Sequence, residues 1–106
     1  MVKEFEETPP VSVVIVNLNG KKWLEKAIPS ILASDYSRVE LIVVDNGSID
    51  GSVEFLRENY PMTRVIALER NIGWSPANNE GVKTASGHVI ACLSNDMIVD
   101  SRWLKE

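Results

Sequence analysis

The chain has 106 residues, 44% of them hydrophobic and 25% charged, and it carries a formal net charge of -4. This composition is typical of one globular domain, and the acidic balance argues against a nucleic-acid partner because phosphate binding needs a basic surface. No apolar run approaches the roughly 20 residues that a transmembrane helix needs, so no membrane span is predicted. The single cysteine, Cys92, excludes a disulfide framework, favours a cytoplasmic setting and lies in an apolar run that predicts a buried position.

The first ten residues are acidic and end in Pro-Pro, so we interpret residues 1–10 as a flexible leader. Four apolar runs rich in β-branched residues follow, each bounded by turn-forming residues, which is typical of buried strands. The predicted strands are Val11–Val16, Val39–Val44, Arg64–Leu68 and His88–Leu93.

Helical patterns occupy the segments between these strands. The first pattern has an apolar stripe at helical spacing that continues past Pro29, which predicts a kinked but unbroken helix. Asp50 is suited to cap a second helix over Gly51–Asn59. The remaining signals are an N-cap at Ser75 with Pro76 in the first helical position, a stop at Gly87, and a further helical turn over 101–106.

The alternation of strands and helices predicts parallel strand pairs that are joined by crossovers. The strands are almost continuously apolar, as expected when helices cover both faces of a sheet. We therefore predict an α/β fold with a doubly wound, mainly parallel sheet of four strands in the order 3-2-1-4.

Polar residues follow three of the predicted strands at their carboxyl ends. In a parallel sheet these ends share one rim, and ligands of open α/β sheets bind in a crevice there. In strand order the polar residues are Asn17 and Asn19, Asp45 and Asn46, and Asn95 and Asp96.

The two acids of this rim suggest a site for a cation and a polar ligand. Two carboxylates that face one crevice repel each other unless a cation or a hydrogen-bond donor offsets their charge. Because Mg²⁺ is commonly held by one or two carboxylates and substrate phosphates, Asp96 is the candidate metal ligand, and Asp45 is the candidate acceptor for an N–H or O–H of a base or sugar. The alternative is that both acids are solvated loop residues, and that Asp45 and Asp50 only cap the following helices.

The segment from Asn71 to Gly81 also indicates a site. Asn78 and Asn79 lie near the start of a helix, where asparagine is a poor helix former and where free N–H groups suit a phosphate or hydroxyl group. The alternatives are that both asparagines cap the loop, and that Trp74 packs in the fold rather than stacking on a base or sugar.

Four segments resemble the opening motifs of the family 2 glycosyltransferases, in the order and at the spacing of that family. They are Val13-Val-Ile-Val-Asn-Leu-Asn-Gly20, Val43-Val-Asp-Asn-Gly-Ser-Ile-Asp50, Asn71-Ile-Gly-Trp74 with Asn78-Asn79-Glu-Gly81, and Leu93-Ser-Asn-Asp96. The resemblance implies the GT-A fold, a nucleotide-diphospho-sugar donor, a divalent metal (Mg²⁺ or Mn²⁺) and inversion at the anomeric carbon.

Position within these motifs assigns roles to individual residues. The resemblance implies that Asp45 holds the nucleotide base, and that Ser94-Asn95-Asp96 stands for an Asp-X-Asp motif in which Asp96 binds the metal. The residues that we expect to contact the nucleotide sugar are Asn17, Leu18, Asn19, Asp45, Asn46, Ser48, Asn71, Gly73, Trp74, Asn78, Asn79, Ser94 and Asn95.

The chain also departs from the family pattern. Leu18 stands where tyrosine is common, and Ser94 replaces the first acid of the metal motif. Because the family places the acceptor site and the catalytic base after that motif, we predict that residues 11–106 are the donor-binding part of a domain truncated there, without the catalytic base. Truncation would bare the fourth strand, which predicts self-association.

Two other functions remain open at this point. One is a non-catalytic fragment that holds a nucleotide or a metal, or that serves only as a folding unit. The other is a receiver-like phosphoacceptor domain, which also carries acids at strand ends. A receiver needs a pair of acids after its first strand, where this chain has Asn17 and Asn19.

Overall fold

A computed structural model of the chain describes residues 10–33, 38–87 and 89–94. The leader up to residue 9, His88 and the helical turn predicted over 101–106 lie outside the described residues. The strands are β1 (Val11–Asn17), β2 (Val39–Asp45), β3 (Arg64–Ala67) and β4 (Val89–Ser94), and the helices are α1 (Lys21–Leu32), α2 (Ser52–Asn59) and α3 (Trp74–Thr84).

The four strands form one parallel sheet in the order β3-β2-β1-β4. The predicted fold class and strand order are therefore confirmed. β1 is central, and its register places Asn17 opposite Asp45 of β2 and Val16 opposite Ser94 of β4. The carboxyl ends of these three strands consequently lie side by side.

The same strand order excludes the receiver-like alternative. Receiver domains have the order 2-1-3-4-5, in which the third strand pairs with the first. Here β3 pairs with β2, and β1 is flanked by β2 and β4. The receiver-like alternative is excluded because β3 extends the sheet from β2 on the side away from β1.

Alternate residues of each strand point to opposite sides of the sheet, so both of its faces carry apolar side chains. Helices cover both faces. One face packs against α1 and α2, whose Leu24, Ile28 and Leu56 are fully buried. Burying a side chain of this size stabilises the fold by about 1.5–3 kcal/mol. The strand residues of this core are Val11, Val13, Ile15, Leu41 and Val43.

The opposite face packs against α3 at close range. Gly81 of α3 lies so near the sheet that a Cβ atom there would be 2.5 Å from Val14 Cγ1 and 2.9 Å from Val44 Cγ2. A glycine at this helical position therefore sets the distance between α3 and the sheet. The buried residues of this second core are Val14, Val16, Ile42, Val44 and Ala77.

Three details of the helix ends differ from the predictions. α3 begins at Trp74 after Gly73, so Ser75 and Pro76 lie inside its first turn, where N–H groups have no intrahelical acceptor and proline is tolerated. The Asn71 side chain accepts the Gly73 N–H at 2.8 Å and ends the loop two residues earlier than predicted. α2 begins at Ser52 rather than at Gly51, which precedes the helix in a left-handed conformation. α3 ends at Thr84, before the predicted stop at Gly87.

α1 runs without a break from Lys21 to Leu32 with Pro29 inside it, as predicted for an unbroken helix. Gly87, predicted as a helix stop, instead lies against β1, where a Cβ atom would be 2.6 Å from the Ser12 nitrogen. None of the helices in the described ranges is long and apolar enough to cross a bilayer.

β4 is an edge strand of the described sheet and is only partly covered. Val89 and Ile90 are 49% and 40% exposed, and Cys92 is also exposed. The predicted buried position of Cys92 is therefore wrong. An apolar run predicts a strand, but burial depends on what covers its two faces, and within the described residues no second strand pairs with β4.

Candidate functional site

The carboxyl ends of β1 and β2 bring the first predicted site residues into contact. Asn17 and Asp45 are opposite each other in the sheet, and both are buried, with exposed fractions of 0% and 1%. The Asn17 Nδ2 group donates a hydrogen bond to Asp45 Oδ1 at 2.9 Å. The predicted meeting of these two residues at one rim is therefore observed.

The Asp45 carboxylate is the centre of a hydrogen-bond network below the rim. Its Oδ1 also accepts a hydrogen bond from the Ser48 hydroxyl (2.8 Å), and its Oδ2 accepts one from the Ser48 N–H (2.8 Å). A carboxylate oxygen has two acceptor positions, so Oδ2 retains one for a further donor. Asp45 thus shapes the loop that follows β2, and one acceptor position of its carboxylate remains unused by the described donors.

The loops after β1 and β2 are joined by reciprocal hydrogen bonds. The Asn19 N–H donates to Ser48 Oγ, and Asn19 Oδ1 accepts the Ile49 N–H, both at 2.8 Å. Asn19 has φ +52°, a left-handed conformation that asparagine tolerates better than most residues. Its neighbour Leu18 is 42% exposed on this surface, where its apolar side chain can meet a ligand.

Asn46 holds the third loop of the rim. It is 3% exposed, its Nδ2 donates to the Gly73 carbonyl (3.2 Å), and its Oδ1 accepts the Ile72 N–H (2.9 Å). Asn46 therefore uses its side chain to fix the loop before α3. In that loop Asn71 and Gly73 are exposed, and Trp74 at the start of α3 is 55% exposed rather than packed in a core.

The two asparagines of α3 differ in environment. Asn79 is exposed, whereas the Oδ1 atom of Asn78 is buried and has no hydrogen-bond partner among the described residues. An unsatisfied buried acceptor costs about 1–3 kcal/mol, and native structures contain few of them. A ligand that donated a hydrogen bond to Asn78 Oδ1 would remove this cost.

β4 ends with the first two residues of the fourth motif, Leu93 and Ser94, and brings them to the same rim. Ser94 pairs with Val16, the residue before Asn17. Asn95 and Asp96 lie outside the described residues. Within the described ranges, no group of three or more His, Cys, Asp or Glu side chains could hold a metal ion.

Two residues with roles at this rim were not among the predicted site residues. Gly47 has φ +89°, and a Cβ atom there would be 2.9 Å from the Arg70 Cα, so Gly47 lets the second and third loops touch. Its sequence signal was the Asn46-Gly47 pair, which is typical of a turn. Asp50 accepts hydrogen bonds from residues at the starts of two helices, Lys21 and Ser52.

The charge state of Asp50 follows from these contacts. Burial opposes ionisation, but hydrogen bonds from the Ser52 side chain and from the Lys21 and Ser52 N–H groups outweigh it and hold the pKa of this carboxyl below its usual value. A lowered pKa means that the folded state favours the carboxylate. Its contribution to stability is present above the unfolded-state pKa and is lost as the pH falls through the folded-state pKa.

Known proteins are similar to this chain in sequence and in fold. A glycosyltransferase of Nostoc sp. (strain PCC 7120) is 37% identical over 89 residues, which cover 81% of this chain and 28% of that protein. The crystal structure of S. aureus TarS 1–349 in complex with UDP-GlcNAc matches with a TM-score of 0.82 and 25% identity, covering 91% of this chain and 29% of that one. The mannosyltransferase PcManGT from Pyrobaculum calidifontis, in complex with GDP-Man and Mn²⁺, matches with a TM-score of 0.72 and 25% identity, covering 83% of this chain and 28% of that one.

This chain spans less than a third of the length of each of these proteins. Its parallel sheet in the order β3-β2-β1-β4, with helices on both faces, corresponds to the GT-A fold of TarS, as predicted from the four motifs. The family model described as glycosyl transferase family 2 matches residues 12–106, and the chain therefore belongs to that family.

Proposed function

We propose that residues 11–106 form the donor-binding part of an inverting glycosyltransferase, which holds a nucleotide-diphospho-sugar and a divalent metal for transfer to an acceptor. The observation that carries the proposal is the meeting of Asn17 and Asp45 at the carboxyl ends of β1 and β2, beside the end of β4. The donors in two similar structures, UDP-GlcNAc with TarS and GDP-Man with PcManGT, support a nucleotide sugar as the ligand.

The rim offers distinct contacts to the parts of such a donor. The open acceptor position of Asp45 Oδ2 suits an N–H of the base, and the exposed Leu18 side chain suits its apolar face. Trp74 presents an exposed aromatic surface for stacking on a base or sugar. The buried Oδ1 of Asn78 suits a hydroxyl or N–H donor of the ligand.

We assign the metal to Asp96 together with the phosphates of the donor. Mg²⁺ characteristically takes one or two carboxylates and substrate phosphates, so a motif with a single acid is compatible with it. PcManGT was solved with Mn²⁺, which supports a divalent ion at this type of site. When bound, the ion would stabilise the negative charge of the leaving nucleoside diphosphate.

Calorimetric titration with UDP-GlcNAc and GDP-Man, each with and without Mn²⁺, tests the proposal. We expect one of the two donors to bind, and Mn²⁺ to strengthen its binding. The Asp96→Asn variant should lower affinity in Mn²⁺ by at least about tenfold, because it removes the carboxylate that the ion needs. The matched control is Glu58→Gln, an exposed acid of α2 away from the rim, which should bind like the unmutated protein.

The same titration distinguishes the proposed function from the remaining alternative, a fragment that is only a folding unit. Binding that is unaffected by Asp96→Asn and by Mn²⁺ would contradict the metal assignment while keeping the nucleotide site. Absence of binding by both nucleotide sugars and by free UDP and GDP would support the alternative of a fragment that serves as a folding unit.

We further propose that the chain self-associates through β4. An edge strand with exposed apolar residues is a template for pairing, and Val89 and Ile90 are 49% and 40% exposed. Light scattering should show a dimer or larger species of the 106-residue chain, and Ile90→Lys should shift it to the monomer. Met62→Lys, at a residue that is 97% exposed outside β4, is the control. A monomer mass for the unmutated chain at high concentration would contradict this prediction.

A further inference from the structure

Asp50 links the starts of two helices, Lys21 and Ser52, that are 31 positions apart along the chain. Its Oδ2 accepts the N–H of Lys21, the first residue of α1, at 2.9 Å. Its Oδ1 accepts the N–H of Ser52, the first residue of α2, at 3.0 Å, and also a hydrogen bond from the Ser52 hydroxyl. One carboxylate thus satisfies N–H groups at both helix starts.

Neither helix has a cap of its own at this end. The N-cap residues are Gly20 for α1 and Gly51 for α2, and neither makes a side-chain capping bond. α1 also has no acidic residue in its first turn. A helix N-terminus carries partial positive charge and unpaired N–H groups. Asp50 supplies a side-chain acceptor that both N-cap glycines lack, and it also supplies a negative charge to α1, whereas α2 has Glu54 in its own first turn.

The two helix starts are the anchors of the loops that carry the site. Asn19 lies two residues before Lys21, and Ser48 lies two residues before Asp50. The Asn17 side chain, at the end of β1, donates to Asp45 and Ser48. Beyond the strand ends, three hydrogen bonds cross between the two loops: Asn19 N–H to Ser48 Oγ, Ile49 N–H to Asn19 Oδ1, and Lys21 N–H to Asp50 Oδ2. Only the third involves a formal charge, and hydrogen bonds to charged groups are the stronger ones.

We propose that Asp50 is a positioning residue for the donor site. Its ionised carboxylate holds the starts of α1 and α2 together, and it thereby keeps Asn19 and Ser48 in the arrangement that surrounds Asp45. Asp50 itself touches no ligand in this proposal. The inference rests on the proposed function, because the positioned loops are those assigned to the nucleotide sugar.

The test compares Asp50→Asn with the unmutated protein by two measurements. Amide hydrogen exchange should become about tenfold faster at Asn19, Lys21 and Ile49, whose N–H groups form or adjoin the cross-loop bonds. The dissociation constant for the bound nucleotide should rise about tenfold in conditions where both proteins are folded, which is the loss of one charge-assisted hydrogen bond. Asp50→Glu, which restores the charge, should recover part of both effects.

Glu40→Gln is the matched control, because Glu40 lies near the start of β2, at the end of the strands opposite the rim. Glu40 Oε1 also accepts a serine N–H and hydroxyl, those of Ser86 (both 3.1 Å), and its Oε2 pairs with Arg64 at 3.4 Å. This variant should lower the melting temperature without changing nucleotide affinity or exchange in the site loops. An Asp50→Asn protein with unchanged exchange at Asn19 and Ile49 would overturn the inference.

The two measurements also separate this inference from the proposed function. Exchange reports the coupling of the loops without any ligand, whereas affinity reports the site. Faster exchange with unchanged nucleotide affinity would overturn the positioning role and leave the proposed function standing. Faster exchange in a protein that binds no nucleotide would instead overturn the proposed function, and with it the role of Asp50 in that site.

Discussion

Replacement of Asp45 by alanine should lower the free energy of unfolding by about 3–5 kcal/mol, because buried donors lose a charged acceptor. Asn17 Nδ2, the Ser48 N–H and the Ser48 hydroxyl all donate to this carboxylate, and Asn17 and Asp45 are almost fully buried. Urea unfolding measures the stability, and calorimetry on the folded variant should show that nucleotide binding is lost.

Ser48→Ala is the companion variant for Asp45. It removes the hydroxyl, which donates to Asp45 and accepts the exposed Asn19 N–H, but it keeps the Ser48 N–H and the Asn17 bond to the carboxylate. It should therefore cost only about 1–2 kcal/mol. A stability loss for Asp45→Ala no larger than that of Ser48→Ala would show that the network does not depend on its acid. Asp45 would then be a loop residue, as in the alternative interpretation of the sequence.

Replacement of Gly47 by alanine should lower the free energy of unfolding by about 2–5 kcal/mol, for two independent reasons. Gly47 has φ +89°, a left-handed conformation that is unfavourable for alanine. The added Cβ would also lie 2.9 Å from Arg70 Cα and 3.0 Å from the Arg70 carbonyl carbon, and backbone atoms cannot rotate away. The loop that contains Gly47 must therefore move away from the loop that contains Arg70, and this movement should displace Asn46 and Ser48, the neighbours of Gly47.

Gly51→Ala separates these two causes. Gly51 has nearly the same φ angle, +85°, but a Cβ atom there would meet nothing within 4 Å. It should therefore cost only about 1–2 kcal/mol, the penalty of the left-handed conformation alone. Chemical denaturation of both variants measures the difference, and equal losses would show that the contact with Arg70 imposes no constraint.

The fold class, and the meeting of particular residues at one rim of the sheet, could be predicted from the sequence. The runs at β1 and β2 are almost continuously apolar and are separated by a helical pattern, which is typical of parallel strands covered on both faces. Parallel strands end on the same rim, so the residues that follow them must meet there. Asn17 and Asp45 could be predicted as neighbours for this reason, and the structure has them 2.9 Å apart.

The contacts of each rim residue could be determined only from the tertiary structure. Asp45 and Asn46 are adjacent in the chain, yet one centres a buried network and the other holds the loop before α3. Asp50 reaches Lys21 across the fold, and Cys92 is exposed because β4 lies at an edge of the described sheet. Hydropathy and spacing predict which face of the sheet a residue occupies. Its hydrogen-bond partners, and the segments that cover it from solvent, are distant in the sequence and come together only when the sheet forms.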